Sequence, residues 1–337
     1  MTTTDFPQPT KVELSGSNAP AGSPWKIALD VHEAGRSNAG VPVVFCHGFP
    51  ELAYSWRHQL PAVADAGFRA IAPDQRGYGG STSPSEVEAF GLGQLCGDLA
   101  DMLDALEVER AVFVGHDWGG FLAWAMPVLF PDRCAGVAGI CTPYTPFPTT
   151  DLLKQLFGPD PDNLYMLWFQ DEGVAESVMD SKARMIFEKL TRGGTDPAAM
   201  AAQGFGRERG SNFNPFKNIE SLGTHGDAVL SPDELDVYVS AFDRTGFAGG
   251  INWYRNIDTN AETYPAVGTQ HLDLPALMIC AEWDPALPPA LARHMPDMCS
   301  DLEMTTIDKA GHWVQQEFPD QVNQVLVDWL TRRFGNG

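Results

Sequence analysis

Short apolar runs alternate with amphipathic stretches through the first 141 residues. The runs VPVVFC (41–46), FRAIAPD (68–74), RAVFVG (110–115) and CAGVAGIC (134–141) are each bounded by Gly, Pro or Asp and read as buried strands. Between them, 51–66, 92–106 and 119–130 carry apolar residues at helical spacing. The clearest stripe runs through Leu95, Leu99, Met102, Leu103 and Leu106. Strand and helix in repeated alternation predict a parallel sheet wrapped by helices. After Thr142 the rhythm changes to Pro, Gly, Met and aromatic residues in helix-like pieces with no convincing strand. It returns with PALMICA (275–281), LEMTTID (302–308) and a closing amphipathic helix over 320–334. The expected organisation is an α/β core in two parts, 1–143 and 268–337, interrupted by a helical insertion over 144–267.

A chain of 337 residues is long enough for that plan, and a composition 44% hydrophobic and 20% charged is globular. The formal charge of −22 argues against nucleic acid and anionic membranes as partners, since both would repel it. The six cysteines show no CxxC and no regular spacing, and Cys46, Cys141 and Cys280 fall in apolar strand-like runs. That pattern reads as reduced thiols in a cytoplasmic protein. MTTTDFPQPT lacks a basic start followed by an apolar core, so no secretory signal is expected. No uncharged apolar run approaches the ~18 residues of a membrane span. The eight histidines show no spacing such as HExxH, so neither a metal nor another cofactor is expected.

The stretch RAVFVGHDWGGFLAWA places Asp117 where a buried strand passes directly into a helix. A nucleophile held in such a tight turn needs small residues around it, and Gly115, Gly119 and Gly120 supply them. Hydrolases with this elbow keep the chain order nucleophile, acid, histidine. Here CAEWDPALP sets Asp284 just beyond a strand, and IDKAGHWVQ sets His312 beyond the next. Asp284 would fix the imidazole tautomer and stabilise its charged form; Glu282 is a rival for that role. FCHGFPE (45–51) follows another strand, with Phe49-Pro50 a candidate cis peptide and His47 read as structural. The amides of Phe49 and Trp118 are the candidate oxyanion-hole donors. DQRGYGGS (74–81) is a further loop in which Arg76 reads as architectural.

A carboxylate in place of a serine changes the chemistry. Serine attacking a saturated carbon would leave an inert ether, whereas a carboxylate leaves an ester that water can cleave. His312 then has nothing to deprotonate in the first step and activates water in the second. A halide leaving group asks for N–H donors; an epoxide oxygen leaves as a basic alkoxide and asks for a proton donor. Tyrosine suits the latter, and the insertion carries Tyr165 and Tyr254.

With HGFP (47–50), GHDWGG (115–120), WFQDEGVAE (168–176), NWYRN (252–256), AEWD (281–284) and GHWVQ (311–315) in order, the chain resembles the soluble epoxide hydrolases of the α/β-hydrolase fold over residues 40–330. The resemblance implies an α/β-hydrolase core with a helical cap. It implies Asp117 as nucleophile, His312 with Asp284 as the water-activating pair, and Tyr165 and Tyr254 as ring-opening acids that also contact substrate, alongside Phe49 and Trp118. Tyr165 is placed by its distance from Phe169-Gln170, with Trp168 where the family commonly has a second tyrosine, and Tyr144 is the alternative. The implied reactants are a lipophilic epoxide and water. A haloalkane dehalogenase is the alternative function. That family typically has Asn or Glu where this chain has Phe49, and fluoroacetate dehalogenases place Arg where it has Trp118. A catalytically silent binding module would have lost one of the reactive residues, and none is lost. The oligomeric state stays open between monomer and homodimer.

Overall fold

The computed structural model describes residues 6–198 and 213–335. Eight strands form one sheet: β1 (Thr10–Glu13), β2 (Ala28–Ala34), β3 (Val43–Cys46), β4 (Ala70–Asp74), β5 (Ala111–His116), β6 (Cys134–Ile140), β7 (Ala276–Ala281) and β8 (Leu302–Ile307). Their spatial order is β1-β2-β4-β3-β5-β6-β7-β8. β2 runs antiparallel to both β1 and β4, and every other pairing is parallel. Every residue of β3, β4, β5, β6 and β7 is buried, as continuous apolar runs require when both faces of a parallel sheet are covered.

The sequence pattern misses β1 and β2 for a physical reason. β1 is largely exposed, and in β2 the buried Leu29 and Val31 are separated by the half-exposed Asp30. The edge strand β1 and its neighbour β2 each keep partly exposed positions and so lack the apolar run that marks the central strands. The expected helix over 51–66 divides into a 3₁₀ turn, Ala53–Trp56, and α1 (Gln59–Asp65). The crossovers continue with α2 (Leu92–Ala105) and α3 (Trp118–Leu129), which pack on each other.

Between β6 and β7 the described residues form no strand. They form α4 (Thr150–Phe157), α5 (Tyr165–Trp168), α6 (Val174–Met179), α7 (Ala183–Leu190), α8 (Pro232–Thr245), α9 (Ala248–Arg255) and α10 (Ile257–Thr263). α8 begins with a reciprocal cap: Ser231 Oγ accepts the Glu234 amide while Glu234 accepts the Ser231 amide. The chain closes with α11 (Val314–Glu317) and α12 (Pro319–Phe334), the latter packed on α1. No described helix is long and apolar enough to cross a membrane.

Candidate active site

The loops that carry the chemistry leave the carboxyl ends of β3, β5, β7 and β8, the side where ligands meet parallel sheets. Asp117 occupies the single residue between β5 and α3 at φ 50°, ψ −123°. A non-glycine residue is strained there and persists only when its surroundings over-determine it. The surroundings do. A Cβ on Gly115 would strike the Gly119 carbonyl, one on Gly119 would strike the Cys46 carbonyl, and one on Gly120 would strike Thr142. The Asp117 carbonyl is held by the Gly120 amide at 2.9 Å and by Thr142 Oγ1 at 2.8 Å.

The Phe49 amide donates to Asp117 Oδ1 at 2.8 Å, and the Phe49–Pro50 bond is cis. Trp118 supplies the first amide of α3, which has no acceptor within its helix. Of the two amides expected at the carboxylate, that of Phe49 hydrogen-bonds it among the described residues.

His312 Nε2 stands 3.7 Å from Asp117 Oδ2, and its Nδ1 lies 2.8 Å from Asp284 Oδ2. The other oxygen of Asp284 accepts the amides of Ala286 and Leu287 at 2.8 and 2.9 Å. Burial alone would raise the Asp284 pKa. The charge and hydrogen bond of His312, with those two amides, outweigh it and hold the carboxyl at about 2. Burial alone would lower the His312 pKa. Asp284 most of all, then Asp117 and Glu51, lift it to about 9. The neighbouring carboxylates thus favour the protonated form of the His312 ring. Glu282 is spent elsewhere, accepting the Lys309 amide at 2.7 Å, so Asp284 is the acid that reaches the ring.

Above Asp117 lie the two tyrosines of α5 and α9. Their rings are 5.6 Å apart and meet edge to face. Tyr254 is buried, its ring 5.1 Å from Trp118 and 5.3 Å from Phe49. Burial, then the charges of Tyr165 and Asp117, push its pKa well above the usual phenol value, which keeps it a proton donor. α9 is fixed by Arg255, which pairs with Glu176 at 2.6 Å and donates to the Phe169 carbonyl at 2.8 Å. Phe169 and Phe216 complete an aromatic wall around the pair. Tyr144, the alternative to Tyr165, is elsewhere: it packs on Trp124 and donates to the Gln270 carbonyl at 2.8 Å.

The α/β hydrolase fold family matches residues 41–319. Epoxide hydrolase A of Mycobacterium tuberculosis is 41% identical over 309 residues, covering 90% of this chain and 94% of that protein. The chain belongs to the epoxide hydrolases of the α/β hydrolase fold. Bifunctional epoxide hydrolase 2 of Sus scrofa is 36% identical over 87% of this chain, which spans 52% of that longer protein. The crystal structure of Epoxide Hydrolase A from Mycobacterium thermoresistibile superposes with a TM-score of 0.82 at 38% identity, covering 97% of this chain and 99% of that one.

In this epoxide hydrolase chain His47 and Arg76 are framework residues. His47 is buried and accepts the Gln75 amide, and Arg76 forms a buried two-pronged pair with Asp98. Sequence reasoning passed over a buried pair behind Asp117. Glu51 Oε2 lies 2.8 Å from His116 Nδ1, and His116 Nε2 lies 2.7 Å from the His312 carbonyl oxygen. The Gly48, Gln315 and Gln316 N–H groups also donate to Glu51. The signal was present, since HGFPE and GHDWGG contain both residues, but only the fold shows that they meet. His116, Cys141 and His312 form one trio of metal-type donors among the described residues. Their donors are already engaged with Glu51, Asp284 and the His312 carbonyl, so the trio belongs to this network.

Proposed function

We propose that the chain converts lipophilic epoxides to vicinal diols through an alkyl ester on Asp117. The observation that carries this reading is a carboxylate at the elbow, 3.7 Å from a histidine and close to a buried tyrosine whose ring lies 5.6 Å from that of a second. The helices of residues 144–267 act as the cap over that site. Names of relatives at 41% and 36% identity support the epoxide class.

In the first step a carboxylate oxygen of Asp117 attacks one epoxide carbon, and the C–O bond of the ring breaks. The leaving oxygen takes its proton from Tyr254 or Tyr165, and the resulting phenolate is reprotonated at the expense of the His312 imidazolium. Esterification removes the Asp117 charge, one of the three that favour protonated His312, so the ring that entered as an acid becomes a base. In the second step His312 takes a proton from water, which attacks the Asp117 carbonyl carbon. The Phe49 and Trp118 amides hold the oxyanion. Collapse releases the diol, its oxygen protonated through His312–Asp284 or solvent, and the Asp117 carboxylate and His312 imidazolium are restored. Phe49, Phe169 and Phe216 favour apolar substituents. The six cysteines, all buried and free, support a reducing, cytoplasmic setting.

His312→Gln should trap the ester, seen by intact-protein mass spectrometry as a gain equal to one styrene oxide. No adduct, together with full turnover in Asp117→Ala, would overturn the covalent route. Halide release from 1-haloalkanes that survives Tyr254→Phe would point instead to dehalogenation.

A further inference from the structure

The loop carrying His312 is held from outside the triad by a segment that enters from between β6 and β7. Residues 191–194 follow α7 and pair with 226–229, through a bridge between Arg192 and Ala228 and a hydrogen bond from the Gly193 amide to the Asp227 carbonyl at 2.9 Å. This strap lies directly on the 309–313 turn. Trp313 Nε1 donates to the Leu190 carbonyl at 2.7 Å. Glu317 completes the joint: one carboxylate oxygen accepts the Gly194 amide at 2.8 Å, and the other accepts the Gly311 amide at 2.7 Å. Gly311 immediately precedes His312. The approach is so close that a Cβ on Gly194 would strike the Lys309 carbonyl and the Gly311 amide.

We infer that Glu317 is a positioning residue for ester hydrolysis, one carboxylate that seats the His312 loop and makes this seating depend on the docked strap. The inference rests on the two-step reading above. Hydrogen bonds from amides to a carboxylate are among the stronger ones, and a half-buried amide left without an acceptor disfavours any arrangement that keeps the loop in place. Alkylation asks less of the exact position of His312 Nε2, because Asp117 attacks without deprotonation and the phenolate is reprotonated only after the ring C–O bond has broken. Hydrolysis asks more, because a water must fit between Nε2 and the ester carbonyl. Glu317 touches neither substrate nor nucleophile, so its loss should separate the two steps.

The test is single-turnover quenched flow with styrene oxide, following ester formation and decay by intact mass, for wild type, Glu317→Ala, Glu317→Gln and Trp313→Phe. The expected result for Glu317→Ala is alkylation within about threefold of wild type and hydrolysis slower by about 10- to 100-fold, the scale of a misplacement near 1 Å. The ester then accumulates in the steady state. Glu317→Gln keeps the side-chain volume and one acceptor and should show a smaller change of the same kind; it carries the test should the alanine variant not fold. Trp313→Phe, which cuts the other strap bond, should also slow decay alone. Equal slowing of both steps, or no change in decay, overturns the inference. His312→Gln run alongside separates the two claims: an adduct there with unchanged decay in the Glu317 variants defeats only the role of Glu317. No adduct in any protein defeats the ester itself.

Discussion

Removing Glu51 should destabilise the protein more than any exposed charge could. Its carboxylate is fully buried and meets four donors: the Gly48 amide at 2.7 Å, His116 Nδ1 at 2.8 Å, Gln315 Nε2 at 2.9 Å and Gln316 Nε2 at 3.2 Å. Glu51→Ala strands all four in a site with no exposed surface. Breaking a buried pair by deleting one partner costs about 3–5 kcal/mol, against a total stability of about 5–15 kcal/mol. Water entering the vacated space would recover part of the loss, which favours the lower end. Burial by itself would raise the Glu51 pKa; the charge and hydrogen bond of His116 and the Gly48 amide outweigh it and hold the group at about 2. A depressed carboxyl contributes stability that is present above its unfolded value near 4.5 and is lost as pH falls toward 2. The difference between wild type and variant should therefore be full at pH 7 and shrink between pH 4.5 and 2. Urea unfolding followed by tryptophan fluorescence at pH 7 and pH 3 measures both quantities. A loss under about 1 kcal/mol at pH 7 with an unchanged m value, or a gap that does not narrow with acid, would refute the reasoning.

Three further outcomes follow from the geometry. Gly119→Ala should abolish turnover and lower Tm, because its Cβ meets the Cys46 carbonyl with no side chain able to yield; an active variant of unchanged Tm would contradict the elbow's packing. Tyr254→Phe should slow alkylation by less than the ~10²–10⁴ of a lost general acid, because Tyr165 still donates, and the double Tyr→Phe variant should reach that range in single-turnover kinetics. For His312, a pKa raised from 6.5 to about 9 means that its pairing stabilises the fold fully below 6.5 and is lost as pH rises through 9. Asp117→Asn removes one of the raising charges, so the alkaline decline of Tm, which starts near pH 6.5 in both proteins, should be smaller and complete at lower pH than in wild type; superimposable Tm profiles between pH 6 and 10 would count against it.

Much of the central sheet was legible because β3 to β7 are buried on both faces and their apolar runs have no competing explanation. β1 and β2 were not, since a strand with one wet face shows neither a continuous run nor, over four to seven residues, a firm alternation. At the site, Asp117, Asp284 and His312 were readable because each is a reactive residue just past a strand end, and the elbow demands glycines at fixed offsets. Trp118 was readable only as the residue after Asp117. Chain order alone left Glu282 beside Asp284 and Tyr144 beside Tyr165; only the fold shows that Glu282 holds the Lys309 amide and Tyr144 the Gln270 carbonyl, while Asp284 reaches His312.

The sequence by itself determined the alternation of strand and helix, the glycine-lined turn around Asp117 and the order of the reactive residues, because these depend on neighbours a few positions apart. The tertiary structure alone decided which buried groups meet. Glu51 and His116 are 65 positions apart, and Glu317 and Gly194 are 123 apart. A polar residue at such a separation carries no local mark of its partner; only the closed sheet and the docked strap bring the two within a hydrogen bond.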